Sequence, residues 1–293
     1  MSRFLGTGVA LITPFHADYT IDFNALEKTI NHLIDGKIEY IVVLGTTAES
    51  ATLTKEEKKK VFEFVTEKVN GRIPLIAGIG GNNTAEIVAE VSSFSIKGYE
   101  AILSVAPYYN KPTQEGFYQH YKAIAEASKL PIILYNVPGR TGANMSAETT
   151  LRLAKEVKNI IGIKEASGNF DQFNEIAAHK PEGFDLISGD DPITLPMIAL
   201  GAIGVISVVA NAFPLKFSEM VRTCLNNDFK GARKSHFDFL AFTRLCFVEG
   251  NPAGIKAAMK QLDICDDYVR LPLVPVSAQT KAQIIEVIKT LKN

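Results

Sequence analysis

Residues Asn159–Gly168 read NIIGIKEASG, and the fold turns on how this run is taken. Ile160, Ile161 and Ile163 flank Gly162 in a short β-branched stretch bounded by polar residues and glycine. That is the pattern of a strand buried on both faces. Lys164 closes it. A lysine at the exit of a buried strand is costly unless it is paired or neutral, and a free amine is a nucleophile towards ketones. The plain alternative is a strand-end lysine that extends to water or pairs with Glu165.

Similar runs lie on both sides. Downstream come Asp185–Ser188 and Gly204–Val209; upstream come Pro131–Val137, Ala101–Ala106, Ile73–Ile79, Tyr40–Leu44 and Gly6–Thr13. Helical patterns fill the gaps. Asp22 caps one ending at Gly36, and Thr54 with Glu57 forms a capping box for Lys55–Val69. Others cover Thr84–Ser95 and Phe117–Ala127, and one begins at Ser146. The Lys58, Lys59, Lys60 run reads as a solvated face. Strands alternating with amphipathic helices, roughly 25–35 residues apart, make a parallel sheet, and eight such units close best as a (β/α)8 TIM barrel. An open doubly wound sheet is the rival, but no GxGxxG follows the first strand. The barrel is expected over residues 1–224. Residues 225–293 are expected to form a C-terminal helical appendage, interrupted at Gly250-Asn251-Pro252 and at LPLVP.

Composition narrows the partners. The 293 residues carry 31 basic and 32 acidic side chains, a net charge of −1, so neither nucleic acid nor a membrane surface is expected. No apolar run reaches the roughly 20 residues of a membrane span. The opening MSRFLGTGVALITPF is broken too early by Pro14 to read as a signal peptide. Cys224, Cys246 and Cys265 are odd in number and widely spaced, which fits reduced thiols in a cytoplasmic protein and no disulfide framework. The histidines show neither HxH nor HExxH spacing, so no metal is expected.

In a barrel of this kind the chemistry sits at the C-terminal ends of the strands. Read off the sequence, those ends carry Thr46 and Thr47, Tyr108 and Tyr109, Tyr135 and Arg140, Lys164, and then Ser188, Gly189, Asp190 and Asp191. Each has a plain explanation: a turn cap for the threonines, packing for the tyrosines, a helix N-terminus for the aspartates. Together on one barrel face, hydroxyls, a guanidinium and a lysine suit Schiff-base catalysis. The amine attacks a ketone, the iminium draws electrons, and loss of a proton gives an enamine. Hydroxyls pass the proton and a guanidinium holds a carboxylate, with no cofactor required.

GTTAES, PYYNKPTQEGFYQHY, YNVPGRTG, IIGIKEASGN, LISGDD and GVISV occur in this order, followed by LCFVEGNP and RLPLVP. In these motifs the chain resembles the dihydrodipicolinate synthase family, the lysine-pathway branch of the pyruvate-dependent class I aldolases. The resemblance implies condensation of pyruvate with L-aspartate 4-semialdehyde to 4-hydroxy-tetrahydrodipicolinate, the first committed step towards diaminopimelate and lysine. It implies Lys164 as the Schiff-base lysine and Tyr135 as general acid/base, with Thr46 and Tyr109 completing a relay. Tyr109 would reach a neighbouring subunit's site in a homotetramer built as a dimer of dimers. Thr47 would hold the pyruvate carboxylate and Arg140 that of the semialdehyde, with Gly189 and Ile206 lining the lysine.

A feedback site for lysine is implied at Ser50, Asn82, Glu86 and Tyr108. Lys55 and Lys58 stand there where inhibited relatives carry histidines. Ala48 and Gly254 also depart from the family pattern, which has glycine and proline. The rivals are another pyruvate aldolase, such as N-acetylneuraminate lyase, and a non-catalytic keto-acid-binding barrel. PGRTG argues against the first, and the complete set of expected side chains against the second.

Overall fold

The computed structural model describes residues 2–95 and 97–292. Eight strands pair in parallel and in sequence order into a closed barrel: β1 Gly6–Ala10, β2 Tyr40–Val43, β3 Leu75–Gly78, β4 Ala101–Val105, β5 Ile132–Asn136, β6 Ile160–Glu165, β7 Asp185–Ser188 and β8 Gly204–Ser207. The seam is β1 on β8, where Gly6 faces Gly204. Gly204 has φ +149°, and a Cβ there would lie 1.9 Å from the Gly6 carbonyl oxygen, so only glycine closes the ring.

Around the barrel run α1 Phe23–Asp35, α2 Lys55–Val69, α3 Thr84–Ser93, α4 Gln114–Ala127, α5 Pro138–Thr141, α6 Ala147–Glu156, α7 Phe170–His179, α8 Thr194–Ala199 and α9 Pro214–Leu225. Then come α10 Phe229–Phe247, α11 Ala253–Gln261 and α12 Ala278–Lys292, with α10 packed on α9 and α8. The expected caps are present: Asp22 accepts from the Ala25 N–H, and Thr54 and Glu57 form the capping box.

Period-2 alternation sorts the strand residues into two cores. Tyr40, Val42, Ile76, Leu103, Ile133, Tyr135, Ile187 and Ile206 fill the barrel interior. Ile41, Val43, Ile102, Leu134, Ile163, Leu186 and Val205 face the helices. Each such aliphatic side chain, once buried, contributes about 1.5–3 kcal/mol. The same alternation directs the polar residues. With Ile163 outward, Lys164 points into the barrel and Glu165 points out beneath the helices.

Some element ends differ from the sequence expectation. β1 stops at Ala10, short of Thr13, because the ladder gives way to side-chain partners: Asn211 Oδ1 accepts from the Ile12 N–H at 3.3 Å, and Thr13 Oγ1 donates to the Ala48 carbonyl at 2.8 Å. The PGRTG stretch forms one helical turn, with Pro138 at its start and Gly142 at φ +70° ending it. α4 begins at Gln114 instead of Phe117, capped by Thr113. Among the described residues no helix is long and apolar enough to cross a membrane, and no group of three His, Cys, Asp or Glu side chains could hold a metal ion.

Candidate active site

Lys164 lies at the C-terminal end of β6 with only 5% of its surface exposed. The register pairs it with Tyr135 on β5, and its Nζ sits 4.3 Å from the centroid of the Tyr135 ring. Among the described residues it joins no ion pair. The alternative of a pairing with Glu165 is overturned. That carboxylate, buried on the outer face, accepts from Asn136 Nδ2 at 3.1 Å, Gln172 Nε2 at 2.9 Å and the Ser167 N–H at 2.7 Å. This amide cage ties the ends of β5 and β6 to α7 and fixes the strand end that carries the lysine.

Gly189 follows β7 and donates its N–H to the Glu165 carbonyl at 2.8 Å. A Cβ there would lie 2.6 Å from Ala166 Cβ and 3.1 Å from Lys164 Cγ, so the absent side chain is what leaves room beside the lysine. Ile206, 1% exposed, lines the interior on the same side as Tyr135 and Ile187.

Thr46 and Thr47 lie in a 3-10 turn, Thr46–Ala48, that leaves β2 and ends at Glu49 in the left-handed conformation, φ 55°. Thr46 is half-buried and Thr47 is buried. Asn251 Nδ2 donates to Thr47 Oγ1 at 2.9 Å, which occupies that oxygen as acceptor and leaves its hydrogen free to be donated. Ala48 is not a left-handed residue, so the glycine of the family pattern is not required there. Gly254 sits where α11 crosses α10, and a Cβ would lie 2.5 Å from the Leu245 carbonyl oxygen.

Two aspartates follow β7. Asp191 is buried; its Oδ2 accepts from the Val208 and Val209 N–H groups at 3.0 and 3.1 Å, bracing the turn after β8 instead of capping its own helix. Burial pushes the Asp190 carboxyl up to about 6, with Asp191 adding to the rise and Lys164 opposing it. Arg140, on α5, is exposed. Tyr109 is 87% exposed, on a left-handed backbone of φ 71°. Tyr108 is 42% exposed, and its carbonyl accepts from Asn82 Nδ2 at 3.1 Å, which joins two of the residues expected in the lysine site. Glu86 and Lys55 are exposed, with Ser50 and Lys58 half-buried.

Sequence reading missed what stands behind the threonine turn. Glu49 and Lys256 form an ion pair at 2.6 Å with side-chain exposures of 1% and 0%. Lys256 Nζ also donates to the Tyr268 carbonyl at 2.8 Å, and the Arg270 N–H donates to the other Glu49 oxygen at 2.8 Å. The available signal was weak: a lysine four residues after the Gly250-Asn251-Pro252 break.

A closed parallel barrel with an inward, unpaired lysine beside a tyrosine defines a class of protein, the Schiff-base lyases. The 4-hydroxy-tetrahydrodipicolinate synthase of Parabacteroides distasonis is 53% identical over 286 residues, 98% of this chain and 96% of that protein. The chloride-inhibited dihydrodipicolinate synthase of Acinetobacter baumannii, solved in complex with pyruvate, superposes with a TM-score of 0.94 at 40% identity over 98% of each chain. The enzyme of Cyanidioschyzon merolae, solved with lysine bound, gives 0.96 at 37% identity, covering 100% of this chain and 99% of that one. Residues 3–291 match the dihydrodipicolinate synthetase family, and the chain belongs to it.

Proposed function

We propose that the protein is a lyase condensing pyruvate with L-aspartate 4-semialdehyde to give 4-hydroxy-tetrahydrodipicolinate, with Lys164 as its Schiff-base residue. The observation that carries this is the lysine itself: inward at the end of β6, over the Tyr135 ring at 4.3 Å, with no carboxylate paired to it. Its amine adds to the pyruvate ketone, and loss of water gives an iminium. Removal of a methyl proton gives the enamine, whose carbon attacks the aldehyde of the second substrate. The amino group of that substrate then displaces Lys164 as the ring closes.

Tyr135, whose hydroxyl has no hydrogen-bond partner among the described residues, is the general acid/base, with Thr46 and Tyr109 as its relay. The free hydrogen of Thr47 meets the pyruvate carboxylate. Arg140 holds the carboxylate of the semialdehyde, and Gly189 and Ile206 line the pocket. The exposure of Tyr109 supports its service to a neighbouring subunit, within a homotetramer arranged as a dimer of dimers in the cytoplasm. Ser50, Asn82, Glu86 and Tyr108 form the lysine site. Residues 1–224 are its catalytic barrel and 225–293 its helical region.

The test is trapping and assay together. Borohydride added with pyruvate places the adduct on Lys164 by peptide mass, and product forms with the semialdehyde while N-acetylneuraminate is not cleaved. An adduct elsewhere, or cleavage of the sugar acid instead, overturns the reading.

A further inference from the structure

We propose that Lys256 is a positioning residue for the reaction, reaching from the C-terminal helical region to hold the threonine turn in register through Glu49. This rests on the reading above of Lys164, Thr46 and Thr47. The turn ends at Glu49, whose left-handed backbone is unfavourable for a side-chain-bearing residue and persists only where its surroundings enforce it. The enforcement is visible. Lys256 Nζ takes one carboxylate oxygen at 2.6 Å and the Arg270 N–H takes the other at 2.8 Å. The Phe15 ring lies 4.2 Å from Lys256 Nζ and 4.6 Å from the Arg270 guanidinium carbon, and walls the pair from water. Asn251, from the same C-terminal segment, holds Thr47 directly.

A buried ion pair adds little stability over a well-packed apolar pair, because desolvating both charges offsets most of their attraction. What the pair supplies at this place is direction. Glu49 is two residues from Thr47 and three from Thr46, so its anchorage sets where both hydroxyls point. Misplacing such groups by about 1 Å costs on the order of 100-fold in rate.

The decisive comparison is of the parent with Lys256→Met and with Glu49→Gln/Lys256→Met, assayed well below their melting temperatures after near-UV circular dichroism has shown folding. We expect KM for pyruvate to rise about tenfold and kcat to fall about tenfold in both, while saturating pyruvate and borohydride still label Lys164. The neutral double variant is expected to melt close to the parent and yet to be as impaired as the single one. A merely structural role would lower the melting temperature of the single variant and leave both constants unchanged in the folded protein. That result overturns the proposal. Should Lys256→Met not fold, the double variant decides; should neither fold, Glu49→Gln decides between the same two outcomes at smaller amplitude. An adduct on another lysine in the parent overturns the functional reading, and this inference with it.

Discussion

Among the described residues two buried lysines lie over aromatic rings at nearly the same distance, Lys164 over Tyr135 at 4.3 Å and Lys256 over Phe15 at 4.2 Å. They differ in company. Lys256 has a carboxylate at 2.6 Å and a carbonyl at 2.8 Å, whereas Lys164 has neither. Burial draws the Lys256 ammonium below the ordinary lysine range, and Glu49 opposes that by holding the proton on. A buried lysine with an anion is a structural cation, and one without is available as a nucleophile. What separates the two is the direct ion pair, present at Lys256 and absent at Lys164 among the described residues.

The sharpest way to break this contrast is to remove each lysine in turn. Lys164→Met should abolish both the borohydride adduct and turnover, and leave stability to urea unchanged or raised, because an unpaired buried group is lost. Lys256→Met should keep the adduct and lose about 3–5 kcal/mol of stability, the usual cost of stranding a buried charge. Matching stability losses in the two would erase the distinction. Next in size, Tyr135→Phe removes a hydroxyl with no partner, so folding should survive while kcat falls by about 100-fold or more. A wild-type rate would take the acid/base role from it.

Arg140→Ala should raise KM for the semialdehyde about 30-fold, the equivalent of about 2 kcal/mol, and spare imine formation, since a charge-assisted contact is lost at an exposed position. Equal losses for both substrates would make the arginine structural. Asp190 sharpens the contrast from the anion's side. Its folded carboxyl titrates at about 6, above the ordinary 3.8, so its contribution to stability is full below pH 4 and is lost as pH rises through 6. Asp190→Asn should therefore gain about 1–3 kcal/mol over the parent at pH 7.5 and nothing at pH 4. Parallel urea curves at both pH values would refute this.

The smallest effect concerns free lysine as an inhibitor. Lys55 and Lys58 at the start of α2 have no ion-pair partner among the described residues. Two fixed cations near an incoming ammonium cost about 1 kcal/mol each when screened by solvent. Inhibition by lysine should be weak, and Lys55→His with Lys58→His should strengthen it. Sub-millimolar inhibition of the parent would overturn the charge argument.

Much of this was legible because local rules agreed with the fold. Eight β-branched runs and the caps at Asp22, Thr54 and Ser146 are short-range signals, and all three caps stand where they were expected. Lys164 was legible because a cation ending an apolar strand is anomalous wherever it sits. Strand ends were less so: β1 and β8 stop early because side chains from distant segments take over their hydrogen bonds, and no local pattern announces that. The Glu165 cage, which needs Asn136 and Gln172 from two other elements, and the Glu49–Lys256 pair were invisible for the same reason. Their partners are adjacent only after the barrel has closed.

The separation of Glu49 from Lys256 sets a schedule. The carboxylate leaves the ribosome 207 residues before its cation. At about 5–20 residues per second that is an interval of roughly 10–40 s. During it the barrel strands are being made while the turn bearing Thr46 and Thr47 has no lock. A chain broken off before α11 therefore carries Glu49 and the threonine turn without the cation that anchors them, which is made only from residue 253 onward.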